Sequence, residues 1–172
     1  MADELLDLVN DKDEVVGTVL KSRAHQDPKL IHREIAIAVF NNKGEVLLQQ
    51  RSMNKANDPG KWTITAAGHV GAGENPKGSA KREVKEELGI GVEPIYVEKE
   101  FSTHKDKDAR FFWIYYATME GDPRLVLDKE EVMDAKWVSV KKLAEFSKHN
   151  YFPLDSGSYK FISKIAKTLK LI

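Results

Sequence analysis

The sequence predicts an α/β fold in which a mixed β-sheet lies between layers of helices. Short apolar stretches typical of strands recur along the chain, a helical segment begins near residue 75, and an amphipathic segment closes the chain. Strands with helices before and after them bury their apolar faces as a sheet sandwiched between helices. At 172 residues the chain suits one domain with a real core. We therefore expect a single α/β/α sandwich spanning residues 1–172.

The first third of the chain predicts two pairs of strands. Leu5–Val9 and Val15–Leu20 are separated by turn-prone residues and form a hairpin, which occupies about residues 1–30. Ile35–Phe40 is apolar throughout, as expected of a buried strand. Its partner is Val46–Arg51, which follows a turn.

The segment Ser52–Lys61 is polar and contains Asp-Pro-Gly, so it predicts a loop. Trp62–Ala66 follows as a strand, and Trp62 is either a core residue or a stacking surface for a substrate. Later elements are predicted from the same periodicities. They are the strands Val92–Phe101, Phe111–Met119 and Asp134–Val138, a charged loop at His104–Asp108, a helix opening at Lys141–Phe146, and a closing helix at about residues 156–171.

A helix over residues 76–88 is predicted with both of its ends. Asn75 is a good N-cap, Pro76 fits the first helical position, and Gly89 supplies the C-terminal stop. At about 100° per residue one stripe is apolar and should face the core. Its members are Ala80, Val84 and Leu88.

Three glutamates, Glu83, Glu86 and Glu87, fall on a second arc of this helix beside the apolar stripe. Lys81 and Lys85 lie on the far side, too distant to neutralise them. Crowded carboxylates repel each other unless a cation sits among them. Hard oxygen ligands in this arrangement suit Mg²⁺, with Mn²⁺ as the alternative. The pattern therefore predicts a metal site, whereas the plainer interpretation is a solvated acidic helix face.

Residues 68–90 read GHVGAGENPKGSAKREVKEELGI and fit the pattern G-x5-E-x7-R-E-U-x-E-E-x-G-U, where U is aliphatic. This segment resembles the Nudix box, the signature of hydrolases that cleave nucleoside diphosphates linked to another group. Every position of the box matches. The Nudix fold is itself an α/β/α sandwich around a mixed sheet, so the resemblance and the periodicity agree.

The resemblance implies roles for the residues of the box. Glu83, Glu86 and Glu87 would hold the metal ion together with the carbonyl of Gly68. The reaction would be attack of water on phosphorus, with the metal neutralising phosphoryl charge and a carboxylate taking the proton of the water. Three residues would shape the motif, the arginine by pairing with carboxylates. They are Glu74, Arg82 and Gly89.

Family members often place a further base on a loop downstream of the box. Glu131, or else Glu130, precedes the strand around Trp137 and is the candidate here. The catalytic candidates are thus Glu83, Glu86 and Glu131. A surface carboxylate without a catalytic role is the alternative for Glu131.

Basic residues near the loop after the second strand pair could grip a diphosphate. Arg51 offers a bidentate fork and Lys55 a point charge. Both could instead be solvated surface cations.

A longer resemblance covers roughly residues 3–140 and points to the Nudix subgroup that contains type 1 isopentenyl-diphosphate isomerase. The metal of that enzyme is bound by three histidines and two glutamates, and matching positions here hold His25, His32 and His69. Its diphosphate-binding residues have counterparts in Lys21, Arg51 and Lys55. The histidines could form a second metal site. Each could also be explained singly, as a turn, strand-edge or loop residue.

Departures from the isomerase pattern favour hydrolysis over isomerisation. Ala67 stands where the isomerase needs a cysteine, and the chain has no cysteine at all. The isomerase glutamates align near Asp108 and Arg110, where no glutamate pair occurs. Moving a double bond requires two positioned acid–base groups. A third alternative, a non-catalytic Nudix ligand-binding module, usually lacks box glutamates, and none is missing here.

Composition limits the partners. Lys plus Arg and Asp plus Glu are both 27, and this zero net charge argues against binding of duplex nucleic acid. No signal peptide and no apolar run of membrane-spanning length are found, so we expect a cytoplasmic protein without a membrane partner. The expected partner is a small-molecule diphosphate, and a homodimer is plausible. Nothing in the sequence identifies the substrate.

Overall fold

A mixed sheet of seven strands forms the centre of the protein. The computed structural model describes residues 3–104, 108–149, 154 and 156–172. The strands are β3 (His32–Asn41), β4 (Glu45–Arg51), β5 (Trp62–Thr63), β6 (Ala66–His69), β7 (Ile95–His104), β8 (Asp108–Met119) and β9 (Val132–Ser139). Their order is β5-β4-β3-β8-β7, with β6 also paired to β3 and β9 to β4. Residues 105–107 of the predicted charged loop lie outside the described residues.

The central strand β3 runs parallel to β8 along its whole length, from the His32–Arg110 pair to the Asn41–Met119 pair. Its other edge is shared, because β6 pairs with its first half while β4 meets it only where Phe40 faces Val46. The predicted pairing of Ile35–Phe40 with Val46–Arg51 is therefore limited to the residues next to the turn that joins them. Strand β4 pairs with β9 along its whole length, and near its end it also pairs with β5.

Thr65 fills the gap where β3 and β4 separate. The Val39 amide donates to the Thr65 hydroxyl over 2.8 Å, and that hydroxyl donates to the Leu47 carbonyl. The single strand predicted over Trp62–Ala66 is accordingly two strands, β5 and β6, broken at residues 64–65. Trp62 is buried in the core against Phe146, so the alternative of a stacking surface for substrate is wrong.

Helices cover both faces of the sheet, as predicted. Helix α2 (Pro76–Leu88) covers one face, and α3 (Leu143–His149) with α4 (Ser156–Thr168) covers the other. Alternate residues of β3 serve the two layers, with Ile35, Ile37 and Val39 towards α2 and Ala36, Ala38 and Phe40 towards α4. The predicted α/β/α sandwich is confirmed. No helix among the described residues has the length and hydropathy needed to cross a membrane.

The N-terminal hairpin consists of β1 (Leu5–Val9) and β2 (Val15–Leu20), with the predicted bounds. A short helix that the sequence did not reveal, α1 (Lys21–Ala24), follows it. Buried Asp13 ties the hairpin turn to the sheet through Arg33 at 2.6 Å and Lys99 at 2.8 Å. The hairpin also supports the loop before α2, because Asp7 accepts a hydrogen bond from the Gly73 amide over 3.0 Å.

Candidate active site

Helix α2 is held at both ends in the way the sequence predicts. The Asn75 side chain accepts from the Gly78 amide over 2.8 Å, and Gly89 ends the helix with a φ of 74°. The apolar stripe is fully buried and consists of Ala80, Val84 and Leu88. Because this stripe faces the sheet, the rotation of the helix is set, and the three glutamates emerge together along its edge.

Gly68, at the end of β6, lies against the carboxyl group of Glu83. A Cβ atom at position 68 would stand 2.4 Å from the Glu83 carboxyl carbon, far inside contact distance. Only glycine therefore allows the Glu83 carboxylate to approach the backbone here. The arrangement brings together two of the four groups predicted to ligate the metal.

Arg82 lies among the carboxylates of the box. Its Nε and Nη2 atoms are each 3.1 Å from a different oxygen of Glu74. Its Nη1 atom donates to Glu83 over 2.8 Å and to Glu86 over 3.0 Å. Glu74 also accepts from the Gly71 amide and the Ser79 hydroxyl, which links the loop to the helix. This geometry suits the shaping role expected of Glu74 and Arg82.

Glu87 is the most enclosed of the three glutamates, with 8% of its surface exposed. Burial, reinforced by the nearby charges of Glu83 and Glu131, raises its pKa to about 8. Among the described residues its direct donor is the Gln49 side chain, at 2.7 Å, which also donates to the Thr65 carbonyl. Sequence reasoning missed Gln49, which follows the apolar residues Val46–Leu48 of β4.

Glu131 comes to the same cluster, because its charge acts on Glu87. It forms an ion pair with Lys55, and its carbonyl accepts from the Ser52 amide over 2.9 Å. Lys55 and Glu131, which were predicted as site residues from separate segments of the chain, thus contact each other directly. Arg51, in contrast, donates through Nε to the Asn57 carbonyl at 3.0 Å within its own loop.

A divalent cation fits the glutamate cluster. Among the described residues, the Arg82 guanidinium pairs with Glu83 and Glu86 but not with Glu87. Burial raises the pKa of Glu83 as well as that of Glu87, so the charged forms of these carboxylates are disfavoured without a further cation beside them. Clustered carboxylate oxygens of this kind are the donor set that Mg²⁺ and Mn²⁺ prefer.

A second cluster adjoins the first, since His69 follows Gly68 directly. The Nε2 atoms of His25 and His69 are 2.9 Å apart, and the three predicted histidines stack with ring centroids 5.0–5.5 Å apart. Glu34 completes the group, and one ligand atom from each of the four residues lies within 4.8 Å of the others. The structure thus brings His25, His32 and His69 together.

Sequence reasoning missed Glu34, although it stands two residues after His32 in β3 and therefore on the same face of the strand. Its Oε1 atom is 3.0 Å from His69 Nε2 and 2.5 Å from Arg110 Nη1. Burial alone would raise the pKa of Glu34, but the neighbouring histidines and Arg110 hold it well below its usual range. Burial lowers the pKa of His25 to about 4, aided by His69, His32 and Arg110.

Lys21 lies at the border of the two clusters. Its Nζ atom is 3.1 Å from Glu4, and the same oxygen of Glu4 is 4.0 Å from His69 Nδ1. The charge of Glu4 also acts on Glu83. Lys21 is thus placed beside the box, although its contact in this structure is a carboxylate of its own chain.

The model of the NUDIX domain matches residues 30–164, which contain both clusters except for His25 and the Lys21–Glu4 pair. The chain belongs to the NUDIX domain family. This confirms the predicted family and, at the level of the family, an enzyme of the Nudix hydrolase class.

Curated relatives include both named isomerases and uncharacterized Nudix hydrolases. An isopentenyl-diphosphate Delta-isomerase from Streptomyces avermitilis is 34% identical over 149 residues, or 82% of this chain and 74% of the relative. An uncharacterized Nudix hydrolase from Listeria monocytogenes is also 34% identical, over 80% of each chain. Sequence similarity therefore does not separate hydrolase from isomerase within the family.

Solved structures of NUDIX proteins share the fold. A crystal structure of a Deinococcus radiodurans protein aligns with a TM-score of 0.75 and 21% identity, covering 94% of this chain and 98% of the other. The NUDIX domain of NrtR from Shewanella oneidensis, solved in complex with ADP ribose, aligns with a TM-score of 0.66 and 17% identity, covering 80% and 87%. At least one NUDIX domain of this shape thus binds a small-molecule diphosphate.

Proposed function

We propose that the protein is a Mg²⁺-dependent Nudix hydrolase that cleaves the diphosphate linkage of a nucleoside diphosphate derivative by attack of water at phosphorus. The observation that carries the proposal is the glutamate cluster, in which Glu83 lies against Gly68, shares Arg82 with Glu86 and acts through its charge on Glu87. Mn²⁺ is the alternative ion.

Glu83, Glu86, Glu87 and the Gly68 carbonyl would hold the ion, which when bound neutralises charge on the phosphoryl oxygens. The proton of the attacking water goes to a carboxylate. Glu83 is the first candidate, because its carboxylate lies against Gly68 within the cluster. Glu131 is the second candidate, and in this role it must first be released from Lys55.

Substrate binding falls to the cations at the rim. Lys55 is only partly exposed and lies within ion-pair distance of Glu131, so a diphosphate beside the glutamates comes within its reach. The guanidinium group of Arg51 can rotate away from its loop toward a diphosphate without breaking an ion pair among the described residues. Lys21 would serve the side of the site next to the histidines.

A second candidate function is isomerisation of isopentenyl diphosphate, favoured by the curated isomerase relatives and by the assembled histidine cluster. Ala67 opposes it, because a methyl group can neither donate nor accept a proton. Arg110 opposes it as well, because it stands near one of the two aligned glutamate positions.

We also propose that the histidine cluster holds a second divalent ion of the transition series, ligated by His25, His32, His69 and Glu34. Three imidazoles and a carboxylate are a donor set that such ions prefer over Mg²⁺. Metal analysis of His32→Ala protein tests this. Loss of the bound transition metal is expected, and unchanged content removes the second site.

The hydrolase is tested with a panel of nucleoside di- and triphosphates, ADP-ribose, nucleotide sugars and isopentenyl diphosphate, each with Mg²⁺ in ¹⁸O-labelled water. We expect release of a phosphorylated product carrying solvent oxygen from a nucleotide substrate. With isopentenyl diphosphate in deuterated water, no dimethylallyl isomer and no carbon-bound deuterium are expected. Deuterium exchange at about 1 s⁻¹ or faster would establish the isomerase instead. Binding of a panel member without any turnover would establish a ligand-binding module.

A further inference from the structure

The side chain of Arg110 reaches into the histidine cluster from β8. It faces His32 across the β3–β8 pair, and its two terminal nitrogens contact different carboxylates, Nη1 that of Glu34 and Nη2 that of Asp108. Both carboxylates are at least nine-tenths buried. A positive charge is therefore already present beside the group that is proposed to bind a metal ion.

The imidazoles of the cluster are incompletely hydrogen-bonded without a metal. His32 is fully buried, and its Nε2 atom has no hydrogen-bond partner among the described residues. His69 Nε2 faces both His25 Nε2 at 2.9 Å and Glu34 Oε1 at 3.0 Å, so its single possible proton cannot satisfy both fully. Asp108 Oδ1, 3.9 Å from His32 Nε2, is also without a partner among these residues. Such unsatisfied buried donors and acceptors are costly.

The charge of Arg110 weakens the attraction of the cluster for a metal ion. Glu34 and Asp108 carry two negative charges and Arg110 one positive charge, so the metal-free cluster has one net negative charge. A divalent ion would change this to one net positive charge. Without Arg110, the charge of the same ion would neutralise that of the two carboxylates. Like charges at a few ångströms in a buried site repel strongly.

We propose that Arg110 acts as an internal cation of the histidine cluster, which occupies Glu34 in the metal-free protein and competes with the transition-metal ion for it. The second metal site is thus weak and reversible, and metal binding requires Arg110 to withdraw from Glu34. This inference rests on the second metal site proposed above and is independent of whether the glutamate cluster hydrolyses a nucleotide.

The experiment is a Co²⁺ titration followed by visible absorption, in excess Mg²⁺ so that the carboxylate cluster is not the site observed. Co²⁺ bound by three imidazoles and a carboxylate gives ligand-field bands. Arg110→Gln removes the charge, and we expect it to bind Co²⁺ at least about tenfold more tightly than the wild type. Arg124→Gln, in an exposed loop, is the matched control and should titrate like the wild type.

Thermal unfolding supplies a readout that does not depend on activity. Without metal, Arg110→Gln should melt at a lower temperature, because two buried carboxylates lose their shared cation. Zn²⁺ should raise the melting temperature of this variant more than that of the wild type. Arg110→Lys guards against a folding failure. It keeps a charge but cannot fork between Glu34 and Asp108, and should also bind Co²⁺ more tightly than the wild type.

Equal or weaker Co²⁺ affinity in both Arg110 variants overturns the role of Arg110. Unchanged affinity in His32→Ala, or no Co²⁺ binding by any of the proteins, overturns the site itself. The two failures are therefore distinguishable.

Discussion

Among the glutamates of the cluster, Glu87 is the one whose pKa burial raises to about 8. Its carboxylate is buried, receives one neutral donor from Gln49, and is not reached by Arg82. If Glu87 holds the metal, Glu87→Gln retains its size but removes a ligand charge. Turnover of whichever nucleotide the panel identifies should fall by a factor on the order of 10² or more. Steady-state kinetics measure this, and activity within a few-fold of the wild type would refute the assignment.

The raised pKa of Glu87 also predicts a pH dependence of stability. The folded protein holds this proton up to about pH 8, whereas the unfolded chain releases it near 4.5, so stability should fall as pH rises through this interval. His25 has the opposite effect, because its pKa is lowered from 6.5 to about 4, so stability rises with pH up to about 6.5. Between about pH 6.5 and about pH 8 the contribution of His25 no longer changes, so this window reports the raised pKa values of the buried glutamates, above all that of Glu87.

Urea unfolding in chelator-containing buffers tests this window. Metal-free wild-type protein should lose about 2 kcal/mol between these two pH values, and Glu87→Gln should lose much less. Parallel profiles for the two proteins would show that Glu87 titrates normally.

Gln49 is expected to orient Glu87 for metal binding. Gln49→Leu removes both of its donated hydrogen bonds, to Glu87 and to the Thr65 carbonyl. The Mg²⁺ concentration for half-maximal activity should rise by about 10–100-fold, as is typical when a partner of a metal ligand is lost. Gln50→Leu is the control, since the neighbouring Gln50 bonds instead to the Gly60 carbonyl. Similar Mg²⁺ requirements in the two variants would exclude a specific role for Gln49.

Among the helices and strands, those with local signals were predictable to the residue. The first hairpin and helix α2 have the predicted bounds because turn residues, the Asn75 cap and Gly89 act within a few positions of the chain. The split at residues 64–65 was not predictable, because it arises from Thr65 bonding across to two other strands. Likewise, the residues of the box could be read from their spacing, whereas Gln49 and Glu34 join their clusters through tertiary packing.

The end of helix α2 depends on Gly89. Its φ of 74° is strained for any residue with a Cβ, and a Cβ would lie 2.7 Å from the Val126 side chain. Gly89→Ala should therefore lower the free energy of unfolding by about 2 kcal/mol or more. Gly91→Ala, where a Cβ would meet nothing within 4 Å, should be close to neutral. Denaturant unfolding compares the two, and an equal loss in both would contradict this account of the helix end.

For the molecule as a whole, Asp13 is a buried ionic link between the N-terminal hairpin and the sheet. Asp13→Asn keeps the shape and tolerates the φ of 66°, but leaves Arg33 and Lys99 without their shared carboxylate. We expect a loss of about 3 kcal/mol in stability, as for breaking a buried ion pair. Asp11→Asn, in the exposed part of the same turn, is the control. A loss of the same size in both variants would point to the turn itself.

The parallel pairing of β3 with β8 joins two strands that are far apart in the order of synthesis. His32 and Glu34 leave the ribosome long before Arg110, the residue that His32 faces across the sheet. The edge of β3 that pairs with β8 therefore has no partner while more than a third of the chain is synthesised. A slip of one residue in the late pairing would turn Arg110 to the opposite face and leave Glu34 buried without a cation. The ion pair of Arg110 with Glu34 thus also favours the correct register of the β3–β8 pairing.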